Sequence, residues 1–247
     1  MSSPSAATPA AGWTRATPRP TSVPMLERIA DDVWAQHRPL RFFGLETGTR
    51  MTVVRLADGG LFVHSPVALD AETRDAIDAL GPVKALVAPT LFHHLFIGEW
   101  GRAYPHASLS ACPGLEKKRK ELSWGAILTD DAEAQWKGEI DQVFFSARTM
   151  ENEVIFFHRK SKTIISSDFI FNLRTHSSGL TRAVAGLLGQ REPGTTLLER
   201  IMIRKREVAR EQVARVVAWG AEHLVIAHGD IIDSNGAEVV RRAYAWL

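Results

Sequence analysis

The stretch Val83 to Trp100, VKALVAPTLFHHLFIGEW, constrains the chain most, because a β-branched apolar strand runs straight into two adjacent histidines and a helix-like segment. Open α/β arrangements put their sites at the carboxyl ends of buried strands, where a crevice opens. Neighbouring side chains point to opposite faces of a strand and lie about 100° apart on a helix. His93 and His94 can therefore share one task only where the backbone turns irregularly.

The remaining elements fall into place on either side of this stretch. ERIADDVWAQHRPL and RMTVVRLADGGLFVHSP read as strands, the second a hairpin turned at Asp58-Gly59, where the glycine supplies the positive φ of a two-residue loop. Asp70 caps a helix over DAETRDAIDAL, with Ala71, Ile77 and Leu80 toward one side and Gly81-Pro82 ending it. After the histidines, LFIGEWGRAY reads as a short helix stopped by Pro105, SLSAC as a strand and LEKKRKEL as a helix entered through Pro113. QVFFSA and EVIFFHRKSKTIISSDFIF are strands, the latter segment being two strands joined at Arg159 to Lys162 with Asp168 just past the second. Thr181–Leu188 and Thr196–Trp219 have helical spacing, HLVIAHGD is a strand ending in His228, and Gly236–Leu247 closes the chain as a helix. Each half thus passes from mainly antiparallel strands into alternating helix and strand. The fold class is α/β (α+β): a four-layer αββα sandwich of two sheets between helices.

Residues 1–25, rich in Ser, Ala, Thr and Pro, form a disordered or draped N-terminal arm, and residues 26–247 a single domain. The arm carries arginines and no acid, as an organelle transit peptide does, but its prolines would break an amphipathic helix. With 30 Lys+Arg against 28 Asp+Glu the net charge is +2, which argues against a nucleic-acid or membrane footprint over the whole surface. The basic run Lys117–Lys120, bracketed by Glu116 and Glu121, reads as the solvated face of its helix. One cysteine, Cys112, excludes an internal disulfide and reads as a buried small hydrophobe; the expected compartment is cytoplasmic. Trp100, Trp124 and Trp136 belong to core packing. A small-molecule substrate, no nucleic acid, no membrane and a homodimer wrapped by the arm are the expected partner relations.

His93 and His94, Asp168, and His228 stand at three strand ends. Singly, each has an ordinary reading as a hydrogen-bonded histidine or a turn-forming aspartate. Together they make a metal-binding set, with His93 and Asp168 as the catalytic candidates and His64 as a further donor. Two imidazoles and a carboxylate with open positions suit one zinc ion holding water, or ferrous iron. Asp168 could instead fix a histidine tautomer. His176 reads as a solvated loop histidine.

IISSDFIF, VIAHGD and ALVAPTLFHHLFIGEW, in this order of elements, resemble the metallo-β-lactamase fold superfamily over about Leu26 to Leu247, and most closely a degenerate branch of unknown function. The resemblance implies that Asp168 matches the family's metal-bridging aspartate and His228 its last histidine ligand. Aligned on Gly98, the family's His-x-His-x-Asp-His motif falls on Leu91, His93, Leu95 and Phe96, so only His93 keeps its type. In the other register His93-His94 replace the Asp-His pair, with two extra residues before Gly98. A further family histidine falls near Thr149. Two functions follow: a metal-dependent hydrolase with a reduced site of one zinc or iron ion, or a non-catalytic binding or scaffold descendant holding none. A nuclease of the same fold is opposed by the balanced charge.

Overall fold

The computed structural model describes residues 13–14, 26–42, 44–149, 152–173, 176, 178–190 and 192–247. The chain opens with β1 (Trp13–Thr14), β2 (Glu27–Ala30), β3 (Val33–Arg38), β4 (Arg41–Phe42), β5 (Leu45–Glu46), β6 (Thr49–Arg55) and β7 (Leu61–His64). Helix and strand then alternate through α1 (Ala71–Leu80), β8 (Val83–Ala88), α2 (Ile97–Ala103), β9 (Ser108–Ala111), α3 (Leu115–Lys118) and β10 (Ala126–Ile127). The second half runs β11 (Ile140–Phe145), β12 (Glu153–His158), β13 (Thr163–Ile165), α4 (Gly179–Leu187), α5 (Leu197–Met202), α6 (Arg206–Ala218), β14 (His223–Val225) and α7 (Gly236–Ala243).

Seven strands form one sheet in the order β10-β9-β8-β7-β6-β3-β2, and four form another in the order β11-β12-β13-β14. A small sheet, β1-β4-β5, stands beside them. Of the draped-arm expectation only Trp13–Thr14 is described, paired antiparallel with Arg41–Phe42; the rest lies outside the described residues.

Alternation along the strands explains the layers. On β7, Leu61 and Val63 join Ile77, Ile97 and Trp100 under the first helices, whereas Phe62 faces the other way. On β12, Ile155 and Phe157 pack under α6 and α7 with Val213, Val216 and Val240, whereas Val154 and Phe156 meet Phe62, Val87 and Trp136 between the sheets. Three apolar layers thus separate four structural ones, the αββα sandwich that the periodicity indicated. Cys112 lies buried in the middle layer. Trp100 and Trp136 are core residues whose indole N–H groups donate to the Val67 carbonyl and to Gln142 Oε1.

Local chemistry sets the boundaries. Asp70 Oδ1 accepts from the Thr73 N–H at 2.8 Å and caps α1. The β6–β7 turn closes over Ala57–Gly59, one residue longer than the sequence indicated, with the Leu56 N–H donating to the Gly60 carbonyl, the Gly59 N–H to the Leu56 carbonyl, and Gly59 at φ +82°. The expected helix over LEKKRKEL stops at Lys118, and Thr196–Trp219 is broken into α5 and α6. In the second case Ile203 is pulled out extended to bridge Arg148, a tertiary contact that overrides helical spacing. Among the described residues no helix is long and apolar enough to cross a membrane.

Candidate metal centre

Strands β13 and β14 pair in parallel, with Ile165 opposite Val225. Asp168 and His228 each follow those residues by three positions, so equal offsets bring them side by side, beyond the strands proper. HLVIAHGD is therefore strand only through Val225. His93 comes from the other sheet, on the loop after β8. Thr90 Oγ1 accepts the N–H groups of Phe92 and His93, both at 3.0 Å, and forces the irregular turn that two adjacent histidines require.

The three side chains converge. His228 Nε2 is 3.0 Å from Asp168 Oδ1, His93 Nε2 is 3.4 Å from Asp168 Oδ2, and the two Nε2 atoms are 3.2 Å apart. Donors about 2.0–2.1 Å from a tetrahedral zinc stand about 3.3–3.4 Å from one another, close to this spacing. His228 Nδ1 faces the Thr47 carbonyl at 3.3 Å, and a carbonyl only accepts, so Nδ1 carries the proton and Nε2 turns its lone pair inward. At 3.0 Å from a carboxylate oxygen that nitrogen needs a cation between the two, a metal ion or, without one, a proton. Asp168 Oδ2 is buried without a hydrogen-bond partner. His93 Nδ1 is held by Ser65 Oγ at 2.8 Å. These observations fit a metal ion: three donors are oriented from outside and their open lone pairs converge.

Burial by itself raises the Asp168 carboxyl, but His93 and His228 beside it outweigh that and hold it well below the usual carboxylate range. Behind it, Glu153 accepts from the N–H groups of Ser167 and Asp168 at 2.5 and 3.1 Å. Arg148, fully enclosed, donates to the Asp168 carbonyl at 2.8 Å and to Glu199 Oε1 at 2.6 Å, and stands 3.5 Å from Glu153 Oε2. Burial pushes Glu153 up to about 7 against the pull of Arg148, and raises Glu199 in the same way. Tyr244 completes the support by donating to the Phe169 carbonyl at 2.8 Å.

The structure brings together His93, Asp168 and His228 of the sequence-derived set and leaves two residues out. His94 turns away from the other three: its Nδ1 accepts from Arg119 Nη1 at 2.9 Å, so a guanidinium occupies that nitrogen. Burial, then Lys118 and Arg119, push His94 down to about 3. His64 lies in the middle layer against Phe156, with neither ring nitrogen bonded. Burial pushes it down to about 3. His176 is half-buried; its Nδ1 accepts the Ser178 N–H at 3.1 Å.

Within the basic run only Arg119 departs from the expected solvated face. Lys117, Lys118 and Lys120 are exposed as expected, but Arg119 is half-buried; Lys118 donates to the Leu91 carbonyl at 2.7 Å and Arg119 to the His94 carbonyl at 3.0 Å, so two of these cations also pin the histidine loop. Arg119, Arg148, Glu153 and Glu199 were missed. The one sequence signal for Arg119 was a basic cluster close behind the double histidine, and a buried Arg148 has none. Beside His93 a cleft lined by Leu40, Phe92, Leu95 and Phe96 has a free volume of ≈ 10 Å³, about enough to place one water.

Over residues 30–199 the chain matches the family described as Domain of unknown function (DUF4336). No curated protein matches its sequence. Among solved structures it is similar to DIM-1 metallo-β-lactamase exposed to ceftazidime, with TM-score 0.63 and 16% identity over 92% of this chain and 99% of that one. VMB-1 at pH 5.5 gives TM-score 0.64 and 13% identity over 92% and 98% of the two chains. FIM-1 from Pseudomonas aeruginosa in its mono-zinc form gives 0.59 and 11% over 92% and 97%. The shared fold is that of the metallo-β-lactamases.

Proposed function

Since this chain belongs to the DUF4336 family and has the metallo-β-lactamase fold, we propose that it is a hydrolase that uses one divalent metal ion held by His93, Asp168 and His228. The observation that carries this reading is the convergence of three buried donor groups at 3.0–3.4 Å, with Asp168 Oδ2 making no hydrogen bond among them. FIM-1 in its mono-zinc form is a precedent for a single ion on this fold. When bound, zinc would supply Lewis acidity, acidifying water and polarising a carbonyl or phosphoryl oxygen.

The chain's own residues do the rest. Thr47 fixes the His228 tautomer, Ser65 holds His93, and Arg148 with Glu153 clamp the backbone of Asp168. Leu40, Phe92 and Phe96 keep bulk water from the centre and admit only a small reacting group at His93. The substrate class that suits such a mouth is a small ester, amide or phosphodiester.

Elemental analysis of protein purified without chelator tests the reading. The wild type should hold about one equivalent of a transition metal, and His93→Ala and Asp168→Asn should weaken its retention at least about tenfold. Less than about a tenth of an equivalent after zinc, iron and manganese have each been supplied would overturn it. A second reading, a non-catalytic binding or scaffold protein, is favoured by how closed the centre is, its side chains being only 2–9% exposed. In that case both variants would shift thermal stability and leave the metal content as it was.

A further inference from the structure

Among the described residues, six of the eight large apolar side chains that are exposed lie between Leu180 and Ile201. On α4, Leu180, Val184, Leu187 and Leu188 recur at i, i+4, i+7 and i+8, and only Thr181 and Ala185 of that helix are buried. Leu187 is 81% exposed and Ile201 69%. The Leu197 N–H donates to the Leu188 carbonyl at 2.9 Å, which sets α5 against the end of α4 and makes one continuous apolar face. Single exposed leucines need no explanation, but a contiguous group of this kind marks a contact surface.

The charges around the face identify the occupant. Among the described residues from 179 to 207, the exposed ionisable groups are Arg182, Arg200, Arg204, Lys205 and Arg206 against the acids Glu192 and Glu207. Glu199 is turned inward to Arg148. A second copy docked about a two-fold axis would set the same patch against itself, cations facing cations. An anionic lipid surface accepts both parts: leucines enter the acyl boundary while arginine and lysine meet the headgroups. We propose that the α4–α5 face docks on the surface of an anionic bilayer. The chain then lies on the membrane without crossing it. Thr181 Oγ1 donates to the Glu46 carbonyl at 2.9 Å, beside Thr47, so docking brings the rim of the metal centre to the lipid interface. This proposal holds whether or not the centre carries metal.

Flotation of the full chain with vesicles tests it. Vesicles of phosphatidylcholine with about one third phosphatidylserine should carry the protein at low salt, with phosphatidylcholine alone or molar salt reducing the bound fraction at least about tenfold. Leu187→Asp with Ile201→Asp should abolish flotation, and Arg204→Glu with Lys205→Glu should weaken it more than about twentyfold, each cation contributing about fivefold. All four positions are exposed, so melting curves should match the parent; if the leucine–isoleucine pair fails to fold, the charge pair alone decides. No flotation on anionic vesicles at low salt overturns the proposal, as does flotation insensitive to both pairs. A dimer in sedimentation that Leu187→Asp with Ile201→Asp turns into monomer, with no flotation of either, assigns the face to a second copy and overturns it too.

Discussion

His93 and His94 are neighbours with opposite surroundings: one faces a carboxylate and an imidazole, the other a guanidinium. The same chemistry, cation against lone pair, settles both, and only the direction of the side chain differs. Behind Asp168, Arg148 is a positioning residue whose positive charge is shared by two buried glutamates. Arg148→Met would leave Glu153 and Glu199 without a counter-charge and should destabilise the fold by about 3–5 kcal/mol in urea titration. Adding Glu199→Gln should recover part of that loss. A double variant no more stable than Arg148→Met would mean that the ion pairs are not what holds this corner.

At the level of elements, the turn after β14 decides where His228 points. Gly229 has φ +94°, and a Cβ there would lie 1.7 Å from the Asn172 carbonyl oxygen. Gly229→Ala must therefore displace backbone next to a proposed ligand. It should cost about 1–3 kcal/mol in chemical denaturation and lower metal retention together, whereas an effect on stability alone would separate the turn from the centre. The ends of β8, β13 and β14 were legible in the sequence because each is a short apolar run with a polar stop. The meeting of Asp168 with His228 was not, because parallel pairing of strands some sixty residues apart leaves no local trace. The break between α5 and α6 was hidden for a similar reason: Ile203 fits the helical pattern and leaves it only to reach Arg148. The contact of His94 with Arg119 was not legible, because Arg119 sits in a run that reads as solvated surface.

Over the whole molecule, the two-halves pattern was readable because periodicity reports which faces are apolar, and three apolar layers are what it requires. The middle layer contains a polar exception with a measurable effect. His64 is enclosed and pushed down from 6.5 to about 3, so between those values the unfolded chain binds a proton that the native one does not. Stability should therefore fall as pH drops below 6.5, by about 1.4 kcal/mol per pH unit for each such histidine. Burial drives His37 and His94 in the same direction, to about 4 and about 3. His64→Leu should flatten the decline between about pH 5 and 6.5 by one proton's worth, read from denaturation midpoints across that range. An unchanged slope would show that His64 does not titrate on unfolding.

The origin of the three donors gives the centre a mechanical meaning as well. His93 belongs to the first half of the chain and its imidazole partner His228 lies 135 residues away in the second. Each half has an apolar layer of its own and they share only the middle one. An ion gripped by both would act as a clasp: unfolded chains bring such distant residues together at a large entropic cost, so the free energy of ligation becomes free energy of joining the halves. Loading the centre would then turn two adjoining units into one that opens only as a whole, even before any substrate arrives.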